Sequence, residues 1–177
     1  MERQIHGFNY EKEIAQQYGI ILNDNYTSQW DGIYKNHPCS IKLEKRGSDI
    51  ELADIFRNMN INENFYLFIG FWEGNTNNIV ENYCLYIPVE IWKTMFNFDL
   101  QIEFKHLLAH ITNNIADDEK WKKEISQLRS IWRKTTPNLI RPRFKRDHKK
   151  QKRIQCAINN KDFYNYFLKN FKIEVNR

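Results

Sequence analysis

The stretch Phe65-Tyr-Leu-Phe-Ile-Gly-Phe-Trp72 runs for eight residues without a charge, a proline or an amide side chain. It is far short of the roughly 20 apolar residues that cross a bilayer. It has the length of a strand covered on both faces. A chain that must bury such a strand needs material above and below it, so the expected fold is a mixed central β-sheet flanked by helices. The rest of the chain reads accordingly as mixed α/β. A helix is predicted over 9–18, with Ile14, Ala15 and Tyr18 sharing one face with Glu11 and Gly19 at its stop. Residues 29–35 and 38–44 predict two antiparallel strands joined at Asn36-His37, and the second puts Ile41 and Leu43 on one face with Ser40, Lys42 and Glu44 on the other. Gly47-Ser-Asp reads as a helix start, predicting a helix over 49–59 with Glu51 and Asp54 on one face. Strands over 83–88 and 154–158 and helices over 89–96, 102–111, 118–132 and 163–168 complete the pattern.

Charge is divided unevenly along the chain. Residues 1–119 carry 9 basic and 18 acidic side chains, a net of −9, whereas residues 120–177 carry 18 basic and 4 acidic, a net of +14; together they give the +5 of the whole. The densest part, 141–153, holds eight basic residues against one Asp. It leads straight into the strand at 154–158, so it belongs to folded structure, and a folded cationic surface is expected to meet phosphates. Arg141, Arg143, Lys145, Lys149, Lys150 and Arg153 are the candidate phosphate contacts, and Gln151, Arg153 and Gln155 carry groups suited to base edges. With 177 residues and no internal repeat, one domain over 1–177 is expected, an acidic core over 1–119 and a basic layer over 120–177 expected to bind nucleic acid. Cys39, Cys84 and Cys156 are far apart with no CxxC pair, which argues against a structural zinc site or disulfides and for small buried hydrophobes in a reducing compartment. The start of the chain lacks a signal-peptide core and no apolar run is long enough to span a bilayer, so no membrane partner and a cytoplasmic location are expected.

The chemistry-bearing set lies on the hairpin and its neighbours. Asp31 on one strand faces Lys42 on the other, with further carboxylates offered by Glu11 before it and by Glu51 and Asp54 after it. Phosphodiester hydrolysis uses such a set: carboxylates hold a divalent ion, the ion polarises the phosphate and acidifies a water, and a lysine orients that water or stabilises developing charge.

The arrangement of helix with Glu, strand with Asp, strand with a lysine, helix and buried strand, over about residues 8–72, resembles the core of the PD-(D/E)xK nucleases, the restriction endonuclease-like group. In that pattern Asp31 matches the first acid and Ser40-Ile41-Lys42 stands at the (D/E)xK tripeptide, with Ser40 where the second acid is usual. The SxK form in this family takes its missing carboxylate from the following helix, which nominates Glu51 and Asp54, nine and twelve residues after Lys42; Glu44 is a third candidate. Glu11 matches the glutamate many members carry on the first helix. The resemblance implies a restriction endonuclease-like fold and a Mg²⁺-dependent deoxyribonuclease, with Mn²⁺ able to substitute. It implies a homodimer acting on double-stranded DNA at a short sequence, as type II restriction enzymes do. Asp31, Lys42, Ser40, Glu51 and Glu11 are then the catalytic set and Asp31, Glu51, Asp54 and Glu44 the metal set. The alternatives are a homing, junction or repair nuclease, or a DNA-binding protein that has kept the shape without the catalysis.

Overall fold

The computed structural model describes residues 2–25, 28–74, 78–112, 118–134, 139–145 and 153–176. In chain order it contains α1 (Glu2–Tyr18), β1 (Ile21–Leu22), β2 (Gly32–Tyr34), β3 (His37–Lys45), β4 (Ile50–Asp54), α2 (Ile55–Met59), β5 (Phe65–Trp72) and β6 (Ile79–Ile87). There follow α3 (Val89–Thr94), a 3₁₀ turn (Phe98–Leu100), α4 (Gln101–Thr112), α5 (Asp118–Arg133), β7 (Ile140–Lys145) and β8 (Arg153–Ile158). The chain closes with α6 (Asn160–Asp162), a π-helical turn (Phe163–Phe167), α7 (Leu168–Asn170) and β9 (Lys172–Asn176).

Two compact units emerge: Met1–Ile50 with Asn62–Val89 and Asn160–Arg177, and Glu51–Ile61 with Glu90–Asn159. They interleave along the sequence, so the division does not fall at the charge boundary near residue 119. Counted by unit, the first carries 10 basic and 12 acidic residues (−2) and the second 17 and 10 (+7).

The first unit is built on a mixed six-stranded sheet in the order β1-β2-β3-β5-β6-β9. β5 pairs in parallel with β3 and antiparallel with β6. Its side chains alternate between two cores because successive residues of a strand face opposite ways. Tyr66 and Phe68 join Tyr10, Ile14 and Ala15 of α1 together with Cys39, Ile41 and Cys84. On the opposite face Phe71 meets Phe163 and Tyr164 of the C-terminal helical segment. A fully buried Phe or Ile contributes roughly 1.5–3 kcal/mol, which explains why the apolar run becomes the centre of the sheet.

The second unit holds a three-stranded sheet, β4-β8-β7. Its apolar side includes the buried Ile140, Ile154, Cys156 and Ile158, and Trp132 of α5 donates its indole N–H to the carbonyl of Ile140 at 2.5 Å. All three cysteines are buried and free. Among the described residues no helix is long and apolar enough to cross a membrane.

The helix predicted over 49–59 is corrected: its first part is the strand β4 and only Ile55–Met59 is helical. Ile50 and Leu52 are buried in alternation, the period of a strand, and Ala53, one residue before its end, has φ 66°. Asn58 then donates from its amide to the carbonyls of Leu52 and Asp54, both at 2.8 Å, satisfying acceptors that a helix would have bonded internally. The hairpin turn lies at Lys35-Asn36 rather than Asn36-His37, with φ of 49° and 64°, the left-handed pair that a two-residue hairpin turn requires. The basic run contains the strand β7, and β9 is a strand the sequence reading did not include.

Candidate active site

Asp31 stands at the mouth of the hairpin, one residue before β2. Its backbone N–H donates to the carbonyl of Cys39 at 3.0 Å and its own carbonyl accepts from Asn23 at 2.9 Å. Trp30 beside it packs on Phe65, with ring centroids 5.0 Å apart. Gly32 follows because β1 passes too close for anything larger: a Cβ there would sit 2.6 Å from the carbonyl oxygen of Ile21. The hairpin register pairs Gly32 with Cys39, which sets Asp31 against the tripeptide 40–42.

The tripeptide encloses the carboxylate. Oδ2 of Asp31 accepts from the backbone N–H of Ile41 at 2.6 Å, from Oγ of Ser40 at 3.0 Å and from Nζ of Lys42 at 3.2 Å. Both charged side chains remain partly open to solvent, Asp31 at 27% and Lys42 at 22%. Among the described residues nothing donates to Oδ1. Ser40 thus spends its hydroxyl on orienting Asp31, and Lys42 is held at the end of the same oxygen.

Glu11 is on α1, which packs on the Ile41, Tyr66 and Phe68 face of the sheet. The helix is seated by Tyr10, whose hydroxyl donates to Oδ1 of Asn82 at 2.7 Å and whose ring lies against Gly70, where a Cβ would clash with it. The Glu11 carboxyl is pushed from 4.5 up to about 7, first by burial and then by the negative charge of Asp31, with Lys42 pulling the other way. Two carboxyls and one ammonium therefore feel one another's charge. Cys39 lies beneath, its thiol pushed up to about 12 by burial and by Asp31, which leaves it an unreactive core residue.

The other nominated acids lie on β3 and β4. Glu44 lies two residues beyond Lys42 on the same face of β3, in register with Phe71. Glu51 and Asp54 are on β4 in the second unit, so the helical spacing that would pair them does not exist. Asp54 caps α2, accepting from the backbone N–H of Arg57 at 3.0 Å. Glu51 holds an Oε1 3.9 Å from Nε of Arg143. Among the described residues no group of three or more His, Cys, Asp or Glu side chains is placed to hold a metal ion by itself.

Of the candidate DNA contacts, Arg141 is exposed and Arg143 and Arg153 half-buried on β7 and β8. Lys145 ends β7. Lys149, Lys150 and Gln151 lie outside the described residues. Gln155 is 5% exposed, so its amide does not face solvent where a base edge would meet it.

One polar cluster went unpredicted. Glu81 of β6 accepts from the hydroxyls of Tyr83 at 2.7 Å and Tyr164 at 2.8 Å, and its Oε1 lies 2.9 Å from Nε of Arg46. Tyr83 is on the Lys42 face of the sheet, linked to it through Ile69 in the strand register. Burial and this hydrogen bond push the Tyr83 hydroxyl up to about 12, so it stays a donor. Only the alternation of 81 and 83 hinted at it; the partner Tyr164 is 83 residues from Glu81. Compared with models of known families, with curated proteins and with solved structures, the chain gives no match.

Proposed function

We propose that this chain is a divalent-metal-dependent endonuclease of the PD-(D/E)xK kind, acting on double-stranded DNA at a short sequence as a homodimer. The observation that carries the reading is the enclosure of one Asp31 oxygen by Ser40, Ile41 and Lys42, with the Glu11 carboxyl electrically coupled to the same pair.

The residues fit a hard dication. Asp31 offers Oδ1, and Glu11 offers a second carboxyl, whose charge is disfavoured first by burial and then by Asp31. Mg²⁺ is ordinarily held by one or two carboxylates with waters and substrate phosphate supplying the rest, so a cage of three acids is not required. When bound, such an ion supplies charge neutralisation at the scissile phosphate and a water of lowered pKa.

The chain's own groups do the remainder. Ser40 and the Ile41 amide fix the Asp31 carboxylate so that its free oxygen keeps one direction. Lys42, three-quarters buried, sets an ammonium where charge grows on the phosphate as the water oxygen bonds to phosphorus and the bridging P–O bond breaks. Removing the ammonium leaves that charge without its fixed partner.

A second reading, a DNA-binding protein without catalysis, is favoured by one observation: Oδ2 of Asp31 is already taken by three donors. Incubation with supercoiled and linear DNA in Mg²⁺ or in EDTA separates the two. Discrete metal-dependent fragments, lost in Asp31→Ala and Lys42→Ala, are the expected result. Intact DNA shifted equally by all three proteins would transfer the conclusion to the binding protein.

A further inference from the structure

The two outer strands of the six-stranded sheet are built differently. β9 at one edge reads Lys-Ile-Glu-Val-Asn, with Lys172 and Glu174 ion-paired and a register shift in its ladder with β6, the usual protection of an outer strand. β1 at the other edge is two residues long and carries no charge. Its Ile21 is 72% exposed, and the register partner of Ile21 on β2, Ile33, is 49% exposed.

Strand pairing puts that apolar pair on the face that bears the candidate site. Ile33 is paired in turn with Pro38, which lies two residues before Ser40 and four before Lys42 on β3, so the row Ile21-Ile33-Pro38 shares the Ser40 and Lys42 side. Along β2 the row is two residues, about 7 Å, from Asp31, whose carboxylate accepts from Ser40 and Lys42. Phe65 lies on the same side of β5 as Leu67, the register partner of Ser40, and Trp30 packs on it. Asp31 thus stands at a boundary, with the ammonium of Lys42 on one side along the strands and uncharged methyl groups on the other.

We infer that Ile33 and Ile21 form a wedge that enters the base stack beside the scissile phosphate and unstacks one step of the duplex. The inference rests on the nuclease reading above and specifies its substrate, a duplex opened at one base step next to the cut. Three observations select a nucleobase over a protein partner. The row is continuous with the pair directed at the phosphate, so a nucleotide held at Asp31 and Lys42 has its neighbour within reach of Ile33. The exposed part is two side chains, a small fraction of the roughly 800 Å² that each partner buries in a stable protein interface. Isoleucine is branched at Cβ and stiff at χ1, and here strand pairing fixes its backbone; aliphatic side chains so held are what proteins insert between base steps. Unstacking is costly in a matched duplex and cheaper where a base is already mispaired.

The test begins with the wild-type chain and a random-sequence duplex pool in Mg²⁺, the cut ends being sequenced to locate the scissile phosphate. Synthetic duplexes of that sequence are then made, one fully matched and one with a mismatch at the base pair flanking the cut. The double variant Ile21→Thr, Ile33→Thr keeps the β-branched shape and the strand preference and loses the apolar end. It is expected to cut the matched duplex about 10- to 100-fold more slowly than wild type and the mismatched one within about 3-fold of it. Ile21→Thr alone, at the more exposed position, is expected to move the matched rate in the same direction by less. In EDTA, a fluorescent adenine analogue at the flanking position is expected to brighten on binding wild type and not on binding the double variant. Thermal melts and sedimentation establish that the variants are folded and in the same oligomeric state as wild type. Equal losses on both duplexes, or no loss on either, overturn the inference and leave the nuclease reading standing. A variant of lower oligomeric state overturns it as well, making the row a contact between copies of the chain. A wild-type chain that cuts no duplex in the pool removes the nuclease reading, and the inference with it.

Discussion

At the scale of single residues, Glu11 is the most informative group. Its carboxyl titrates near 7 in the fold against 4.5 for an unburdened glutamate, because burial and Asp31 both disfavour its charge. Between those values the folded chain binds more protons than the unfolded one, so its contribution is fully present below about pH 4.5 and is lost as pH rises through about 7. Glu11→Gln is therefore expected to flatten the fall in melting temperature between pH 4.5 and 7, raising stability relative to wild type at pH 8 and not at pH 4. A set of calorimetric melts across that range checks it; parallel curves for the two proteins would mean that Glu11 is not the titrating group. The helix carrying Glu11 was legible in the sequence because a helix face is a local pattern. Asp31, Ser40 and Lys42 were legible for a similar reason, since a hairpin brings together residues close in the chain. Gln155 was not: a polar residue in a strand reads as solvent-facing, and only the strands on either side show it to be covered.

At the scale of elements, the candidate site depends on how α1 and β1 seat on the sheet. Tyr10 lies over Gly70 in a space that leaves no room for a methyl group. Gly70→Ala is expected to destabilise the chain by roughly 1–3 kcal/mol, the usual cost of overpacking. Tyr10→Leu in the same chain should recover a good part of that loss, since the clash is with the ring itself. Urea unfolding of the two single variants and the double variant reads the coupling directly; simple additivity would show that the clash is absorbed elsewhere. The helix expected over 49–59 shows why some elements escape local reading. Glu51, Leu52 and Ala53 are sound helix formers, yet pairing with β8 and the alternating burial of Ile50 and Leu52 stabilise a strand more than propensity favours a helix. With that change the two acids nominated as metal ligands moved off a shared helix face.

At the scale of the whole molecule, the separation of charge gives the clearest expectation. The unit bearing Asp31 and Lys42 is −2, and the unit bearing Arg141, Arg143 and Arg153 is +7. If DNA is the partner, affinity is expected to fall linearly in log salt, with the same slope in Mg²⁺-free buffer for wild type and for Asp31→Ala, because the proposed phosphate contacts and the Asp31–Lys42 pair belong to different units. Filter binding over a range of salt concentrations measures it, and a flat response would remove DNA as the partner. The sequence by itself determined the mixed α/β class, the buried central strand, the hairpin with Asp31 and Lys42, and the cationic last third, all of which follow from periodicity or composition over a few residues. Only the tertiary structure decided that Glu51 lies beside Arg143, that Gln155 is enclosed, and that the chain folds as two interleaved units. Those outcomes depend on strand pairings between segments about a hundred residues apart, such as β4 with β8, whose stabilisation comes from contacts that no local pattern encodes.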